Sequence, residues 1–424
     1  MRSLHDDQSG VKVRDVAGGT SVGSAAEAAP PNEATGRLSV RIARGPEVAD
    51  LFDSAWDELV LRQRVPNPTL STPWMRHYLR LERATPYAVT VMDGPTLVAA
   101  GAFAVREPLG RHGPRIARWL GPGRLLNQPD VLGAEGAGRL APARALMAAV
   151  LEEVHGVYLG KAALDGAAVR ALRALAPWMH DERADDGWLV GLPPRRQPRL
   201  LQKALYAERR AERLGARVRV DVWRQPADVL AALERLFLLY LHRWSDRAGE
   251  LRRFASPASQ RSWYRSVIGE AAEGGTVRLI EVFENDILVS SLLGLLAGRG
   301  ALFHTTATRP GGKLWGPGHR AMLAWVEEAE RSGATRMDLG RGYAEQGSPK
   351  ARLGPTPIPF GKVIAASSRR WQGGVVAACR SAAFLRDAAG TVLPRERCPA
   401  RSRSAAGLAL DERRDRRDRV ESRG

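Results

Sequence analysis

The sequence predicts an α/β (α+β) protein made of two consecutive blocks, each a mostly antiparallel mixed sheet flanked by helices. Three observations predict it. Short apolar runs joined by tight Asp, Asn and Gly turns occur in both blocks, at 87–105 and at 276–307. Stretches with apolar residues three and four apart stand beside those runs. Pro193-Pro194, among Arg195, Arg196 and Pro198, stops whatever element approaches it from either side. The 424 residues then divide into a disordered leader (1–36), a first block (37–195), a second block (196–393) and a disordered Arg-rich tail (394–424).

The first block opens with a strand at 38–42 and a helix over 48–62, in which Leu51, Ala55 and Leu59 keep helical spacing. The segment from Asn67-Pro68 to Pro73 breaks the chain, and a helix capped by Ser71 or Thr72 restarts over 74–81. Strands at 87–92 and 97–105, joined through Asp93-Gly94-Pro95, form a hairpin. An irregular Gly/Pro-rich stretch (109–138) precedes a helix over 142–154 and a strand–helix pair that ends near Trp178.

The second block starts with a basic helix over 200–214, stopped at Gly215, and a strand over 217–223. In the long helix over 228–244, Leu230, Leu233, Phe237, Tyr240, Leu241 and Trp244 recur three and four apart and form a core face. Three strands follow, 276–284, 287–296 and 301–307, with connections too short for anything but an antiparallel meander. A Gly-rich loop then leads into a helix over 317–331, its stop at Gly333 and a strand over 335–339.

Composition limits the function. A chain that is 44% hydrophobic and 26% charged is neither collagen-like nor wholly disordered, and two cysteines make no disulfide scaffold. Cys379 and Cys398 have no close His or Cys partner, so no metal is expected. The longest apolar run, 287–297, is interrupted by Ser290, Ser291 and Gly294 and is too short to span a bilayer. The leader has no apolar stretch of the secretory kind, and the expected location is cytoplasmic. The net charge of +18 suits polyanionic partners, whether nucleic acid, phosphate-rich ligands or an anionic membrane face. Only six of the 64 basic residues are lysines, however, and an arginine excess of this kind also follows from GC-rich coding.

The most informative stretch is Lys313-Leu-Trp-Gly316-Pro-Gly318, placed directly before a helix. Small residues at a helix N-terminus let backbone N–H groups and the dipole hold a pyrophosphate. Gly316-x-Gly318-x-x-Ala321 with Asp338 twenty residues on also spells a dinucleotide fingerprint, but that motif opens directly from a parallel βαβ strand, and the strands here are hairpin-linked. A plain Gly-Pro turn that caps a helix is the structural alternative.

As K-x-x-G-x-G after a meander, the loop resembles the acyl-CoA loop of the GNAT superfamily, written R/Q-x-x-G-x-G/A, with Lys313 in place of Arg or Gln and Pro317 removing one amide donor. Around it stand Leu239-x-x-His242-Arg243-Trp244, the basic 200–214 helix, and Asp338-Leu-Gly-Arg341-Gly-Tyr343 followed by Lys350. Trp56, Asn67-Pro68, Leu70-Ser71, Trp74 and the Asp93-Gly94 hairpin match in the first block. Over roughly 40–370 this order resembles the CelD-like acetyltransferase domain, the double-GNAT, FemAB-like group of cellulose and extracellular polysaccharide biosynthesis.

The resemblance implies two tandem GNAT-like domains, the first without a cofactor loop. It implies acetyl-CoA as co-substrate, held by Lys313, Gly316, Gly318, His319 and Arg320. Acyl transfer to an amine or hydroxyl needs a base for the acceptor's proton and an acid for the leaving thiolate. Asp338, Glu281 and His304 are candidate bases and Tyr343 a candidate acid. Arg243, Trp244, Arg341 and Lys350 are candidates for the acceptor, a sugar or glycan precursor. Two readings stand beside this one: transfer from an aminoacyl-tRNA, which would give the basic surface a purpose, and a binding module without activity. In the acyl-CoA reading nucleic acid has no role, and the Arg-rich tail is the candidate for membrane contact.

Overall fold

The computed structural model describes residues 5–6, 12–15, 38–381 and 384–385, except 64, 111, 122–125, 127–128, 134–139, 195–196, 245–257, 310–315 and 342–349. Fourteen strands form one mixed sheet flanked by helices. In chain order the first half contributes β3 (Leu38–Arg44), α1 (Ser54–Arg62), α2 (Thr72–Leu81), β4 (Thr85–Asp93), β5 (Thr96–Arg106), β6 (Ile116–Trp119), α3 (Leu140–Glu153), β7 (Gly156–Ala163), α4 (Ala167–Leu175) and β8 (Trp178–Gly191). The second half contributes α5 (Gln197–Arg213), β9 (Val218–Trp223), α6 (Pro226–Trp244), α7 (Ala258–Glu273), β10 (Val277–Glu284), β11 (Ile287–Ala297), β12 (Gly300–Thr308), α8 (Pro317–Arg331), β13 (Arg336–Arg341), β14 (Thr356–Ala366) and α9 (Gln372–Arg380). Within the leader, β1 (His5–Asp6) and β2 (Lys12–Asp15) extend the sheet beyond β3.

The two halves repeat one topology. Strands β3 to β6 are antiparallel neighbours and β6 runs parallel to β7. Strands β9 to β12 are antiparallel in the same way and β12 runs parallel to β13. The last strand of each half is exchanged: β14 pairs with β7 of the first half, and β8 pairs with β13 of the second. Because β14 and β8 also pair with each other, the sheet is continuous across the two halves.

Local chemistry accounts for the elements. The 48–62 segment is not one helix: a 3-10 helix (Gly45–Leu51) precedes α1, because Asp53 starts a new N-terminus and its Oδ1 accepts from the Trp56 N–H at 3.1 Å. The hairpin between β10 and β11 turns on Asn285 and Asp286, both at positive φ, a pair that suits the primed two-residue turn. Two apolar cores cover the faces of the second half. One packs Leu233, Phe237, Val267 and Leu279 together; the other packs α5 and α8 onto Ile280, Leu292 and Met337. No helix among the described residues is long and apolar enough to cross a membrane.

Two features hold α8 in place. Gly294 on β11 has no room for a side chain, since a Cβ there would lie 2.5 Å from the Trp325 ring of α8. At the far end of α8, buried Glu328 accepts from Arg224 at 2.8 and 2.6 Å and from Arg278 at 2.8 Å, and also pairs with Arg331. Burial pushes the Glu328 pKa up, but the hydrogen bonds from Arg224 and Arg278 outweigh it, and the net direction is down. A carboxyl held below its ordinary value stabilises the fold above that value and loses this contribution as it is protonated. Stability is therefore expected to drop on acidification below about pH 4.5, and Glu328→Gln to flatten that part of a urea-midpoint-against-pH profile.

Candidate active site

The parallel pairing of β12 with β13 is short. It joins Gly300 to Arg336, Ala301 to Met337 and Leu302 to Asp338, and there it stops. Beyond Leu302, β12 stays with β11, while β13 continues toward β8 and pairs Arg341 with Gly187. A wedge opens between two parallel strands, in mid-sheet, with unpaired backbone on both sides. It offers extended-chain hydrogen-bonding positions to a ligand, as an open sheet edge does.

His304 stands at the mouth of this wedge. Phe303 pairs with Gly294 and Thr305 with Leu293, so His304 is the extra residue of a β-bulge, a device that re-aims a side chain. Its ring lies 5.4 Å from that of Trp74, edge to face, and Tyr264 Oη is 3.4 Å from its Nε2. Trp74 belongs to α2 of the first half and stacks in turn around Trp263 of α7, 5.9 Å away. The His77 ring of α2 bonds Glu270 of α7 at 3.0 Å, and Trp263 Nε1 donates to the His77 carbonyl at 3.1 Å. The first half thus contributes Trp74 to an aromatic wall that α7 completes with Trp263 and Tyr264.

Burial, and secondarily the Lys161 ammonium, holds the His304 pKa down to about 4. The imidazole is neutral at physiological pH, and the same burial makes it a weaker proton acceptor than an exposed histidine. Lys161 comes from β7, at positive φ, and its Nζ donates to the Leu126 carbonyl at 3.0 Å. Replacing Lys161 by Gly, which accepts the positive φ, is expected to raise the His304 pKa, measured from its ring proton shifts by NMR. Since His304 is depressed below its ordinary 6.5, it costs stability as pH falls from there toward 4, and His304→Gln removes that loss.

Asp338 lies at the base of the wedge, buried, and its Oδ1 accepts from the Gly340 N–H at 2.7 Å. Gly340 is at positive φ, so the carboxylate is fixed by a local turn that glycine permits. Glu281 is fully buried on β10; it accepts from Arg235 Nε and Nη2 at 2.6 to 3.2 Å and from Trp223 Nε1 at 2.7 Å. The carboxylate is thus fully engaged, buried between α6 and the sheet, while the Arg235 side chain that pairs with it reaches the surface and is 39% exposed.

At the other side of the wedge α8 begins. Gly316 takes the left-handed conformation at φ +80°, and a Cβ there would press on His319 Nδ1 at 3.2 Å. A Cβ at Gly318 would meet Thr308 Oγ1 at 3.7 Å. Both glycines keep the first turn of α8 bare of side chains beside the end of β12; Pro317 has no N–H and the His319 N–H donates to the Gly316 carbonyl at 3.0 Å, which leaves the Gly318 N–H and the helix dipole to meet a phosphate. His319 Nε2 accepts from Arg352 Nε at 3.3 Å, which brings a guanidinium to the same turn. Arg320 donates to Glu208 of α5 at 2.6 Å and ties α8 to α5. Lys350 Nζ lies 4.8 Å from the centre of the Phe303 ring, beside the wedge.

The structure therefore gathers His304, Asp338 and Lys350 along the wedge, with Gly316, Gly318 and His319 at its α8 side. It sets Glu281 in the interior. Lys313 and Tyr343 lie outside the described residues, as do the side chains of Arg243, Trp244 and Arg341. Sequence reasoning missed Arg352, Tyr264 and Lys161. No periodicity or spacing relates Lys161 to His304, because the sheet brings them together from opposite halves.

Residues 199–346 match the family model described as an acetyltransferase (GNAT) domain. No curated protein matches. Among solved structures, FemX is similar at a TM-score of 0.52 and 11% identity, over 78% of this chain and 99% of FemX. The tandem GNAT protein from the clavulanic acid biosynthesis pathway is similar at a TM-score of 0.42 and 17% identity, over 77% of this chain and 99% of that one. A third is the C-terminal domain of a putative lysylphosphatidylglycerol synthetase from Agrobacterium fabrum, at a TM-score of 0.47, 12% identity and 78% and 95% coverage. The chain has a GNAT-like acyltransferase fold, and its second half carries the GNAT domain signature.

Proposed function

We propose that the protein is an acyl-CoA-dependent N- or O-acyltransferase, with acetyl-CoA as donor and a sugar or glycan precursor of the cell envelope as acceptor. The observation that supports it most is the wedge between β12 and β13 with the bare first turn of α8 beside it, inside the segment that matches the GNAT model. Bound acetyl-CoA supplies the acyl thioester. The backbone edges of the wedge would align it, and the Gly318 amide and dipole of α8, with Arg352 and Lys313, would hold its phosphates. The acceptor would meet the thioester at the wedge, with the packed aromatic residues of α2 and α7 as the wall behind His304.

His304 and Asp338 are the described candidates for the base. His304 is neutral and sits in the bulge at the wedge mouth, while Asp338 spends one oxygen on Gly340. Tyr343 remains the candidate acid for the thiolate. In an assay of labelled acetyl transfer to a panel of amino and hydroxyl sugars, the base is the residue whose replacement (His304→Gln or Asp338→Asn) lowers kcat about 10²–10⁴-fold with acetyl-CoA affinity intact. Transfer from acetyl-CoA to no acceptor, together with transfer from an aminoacyl-tRNA, would favour the second reading, which the likeness to FemX across both halves keeps in view.

A further inference from the structure

Helix α5 carries an outer face that the fold does not explain. Its inner seam is Leu200, Ala204, Ala207 and Ala211, all buried against α8 and the sheet, and three alanines in that seam let the two helices approach closely. A helix seated by alanines needs no further apolar residues. Yet Leu201, Leu205 and Tyr206 are 40%, 38% and 51% exposed, and Leu214, one residue past the helix, is 62% exposed. Arg199, Lys203, Arg209, Arg210 and Arg213 are exposed beside them, and Glu212 is the one exposed acid of the described helix face. Glu208 is half-buried and paired with Arg320.

We propose that this face of α5 docks on an anionic lipid surface. Each side-chain class on it has a place there: leucines and tyrosine at the headgroup–acyl boundary, arginines and lysine among the headgroup phosphates. Lys203 Nζ lies over the Tyr206 ring, 5.3 Å from its centre, so a cation and an aromatic ring stand together on this face. The alternatives fit half of the face. A second copy would set five cations against five. An RNA would satisfy the cations and leave Leu201, Leu205 and Leu214 in water. Through Glu208 and Arg320, α5 is fixed to the first turn of α8, so docking would hold the mouth of the wedge at the surface, where a membrane-borne acceptor would present itself. The inference concerns binding and stands whether or not acetyl-CoA is the donor.

The test is co-sedimentation of the full chain with vesicles of phosphatidylcholine alone and with about one-third phosphatidylglycerol, with a tRNA titration at matched salt. The informative variant is Leu201→Ser/Leu205→Ser/Tyr206→Ser, which keeps every charge, including those of the Arg-rich tail. Its exposed positions leave the thermal midpoint as a check on folding. The expected result is binding to the anionic vesicles only, weakened at least about tenfold in the triple variant. Equal binding by variant and wild type would overturn the proposal, because the charges alone would then account for it. So would tRNA binding with no vesicle binding, which would make the face an RNA surface.

Discussion

Arg118→Met is expected to lower the unfolding free energy by about 3–5 kcal/mol, measured as a fall in the urea midpoint without a change in slope. Arg118 and Glu82 have side chains only 6% and 3% exposed and form a double hydrogen bond, 2.9 Å on each arm. Arg118 Nη1 donates to the carbonyls of Trp119 and Gly121, at 2.9 and 3.1 Å. Glu82 Oε1 also accepts from the Arg83 and Ala84 amides at the end of α2. The ion pair thus connects α2 to β6, where the first half's own parallel pair begins. Removing the arginine leaves a buried carboxylate without its counter-charge and takes a donor from two backbone carbonyls. Glu82→Gln, which keeps the shape and half of the hydrogen bonding, is expected to cost less than Arg118→Met.

Trp325→Ala is expected to cost about 3–5 kcal/mol, the range for removing a large buried aromatic from a packed core. The indole is fully buried and lies against Gly294, the one position on β11 that had to be glycine to receive it. The cavity opens beneath α8, between the helix and the meander that carries His304. We expect the variant to lose acetyl-CoA affinity as well as stability, because the α8 first turn is placed by this contact. Gly294→Val makes the complementary fault, driving a side chain into the ring, and is expected to destabilise by overpacking rather than by a void.

Much of the second half was legible in its sequence, for physical reasons that can be named. The meander carried short apolar runs with tight connections, one of them Asn285-Asp286, and the structure pairs those strands as expected. The helix after Gly316-Pro317-Gly318 carried its own start signal and begins at Pro317. Strand β14 was not legible. Pro357, Pro359 and Gly361 argue against a central strand, yet β14 lies between β7 and β8. The prolines are tolerated because pairing with β7 begins only at Phe360, so their missing N–H groups face an open edge. Strand β8 was equally hidden: His180 to Ala184 is exposed and rich in charge, and its strand form comes from β14, a partner about 180 residues away in sequence. Helix α7 is absent from the elements expected above, although Trp263, Val267, Ile268 and Ala271 keep helical spacing, and it supplies two of the aromatic rings at the site.

The site was legible as a loop and not as a constellation. The Gly316 and Gly318 pattern marked one side of the wedge. His304 was visible as a titratable residue at the end of a strand, but the bulge that aims it and the Lys161 charge that helps to depress it depend on strand register across the whole sheet.

Acetyl-CoA binding to the full chain tests the account most directly, measured by thermal unfolding with acetyl-CoA, free CoA, NADH or buffer alone at one salt concentration. A ligand that binds only the folded state stabilises it by about 2.7 kcal/mol at one hundred times its Kd, well within reach of the measurement. The account predicts a raised midpoint with both CoA species and none with NADH, and loss of the rise in Gly316→Val, whose side chain would crowd His319 at the first turn of α8. No rise with either CoA species, or a rise with NADH alone, would contradict the assignment of the wedge between β12 and β13 as an acyl-CoA site.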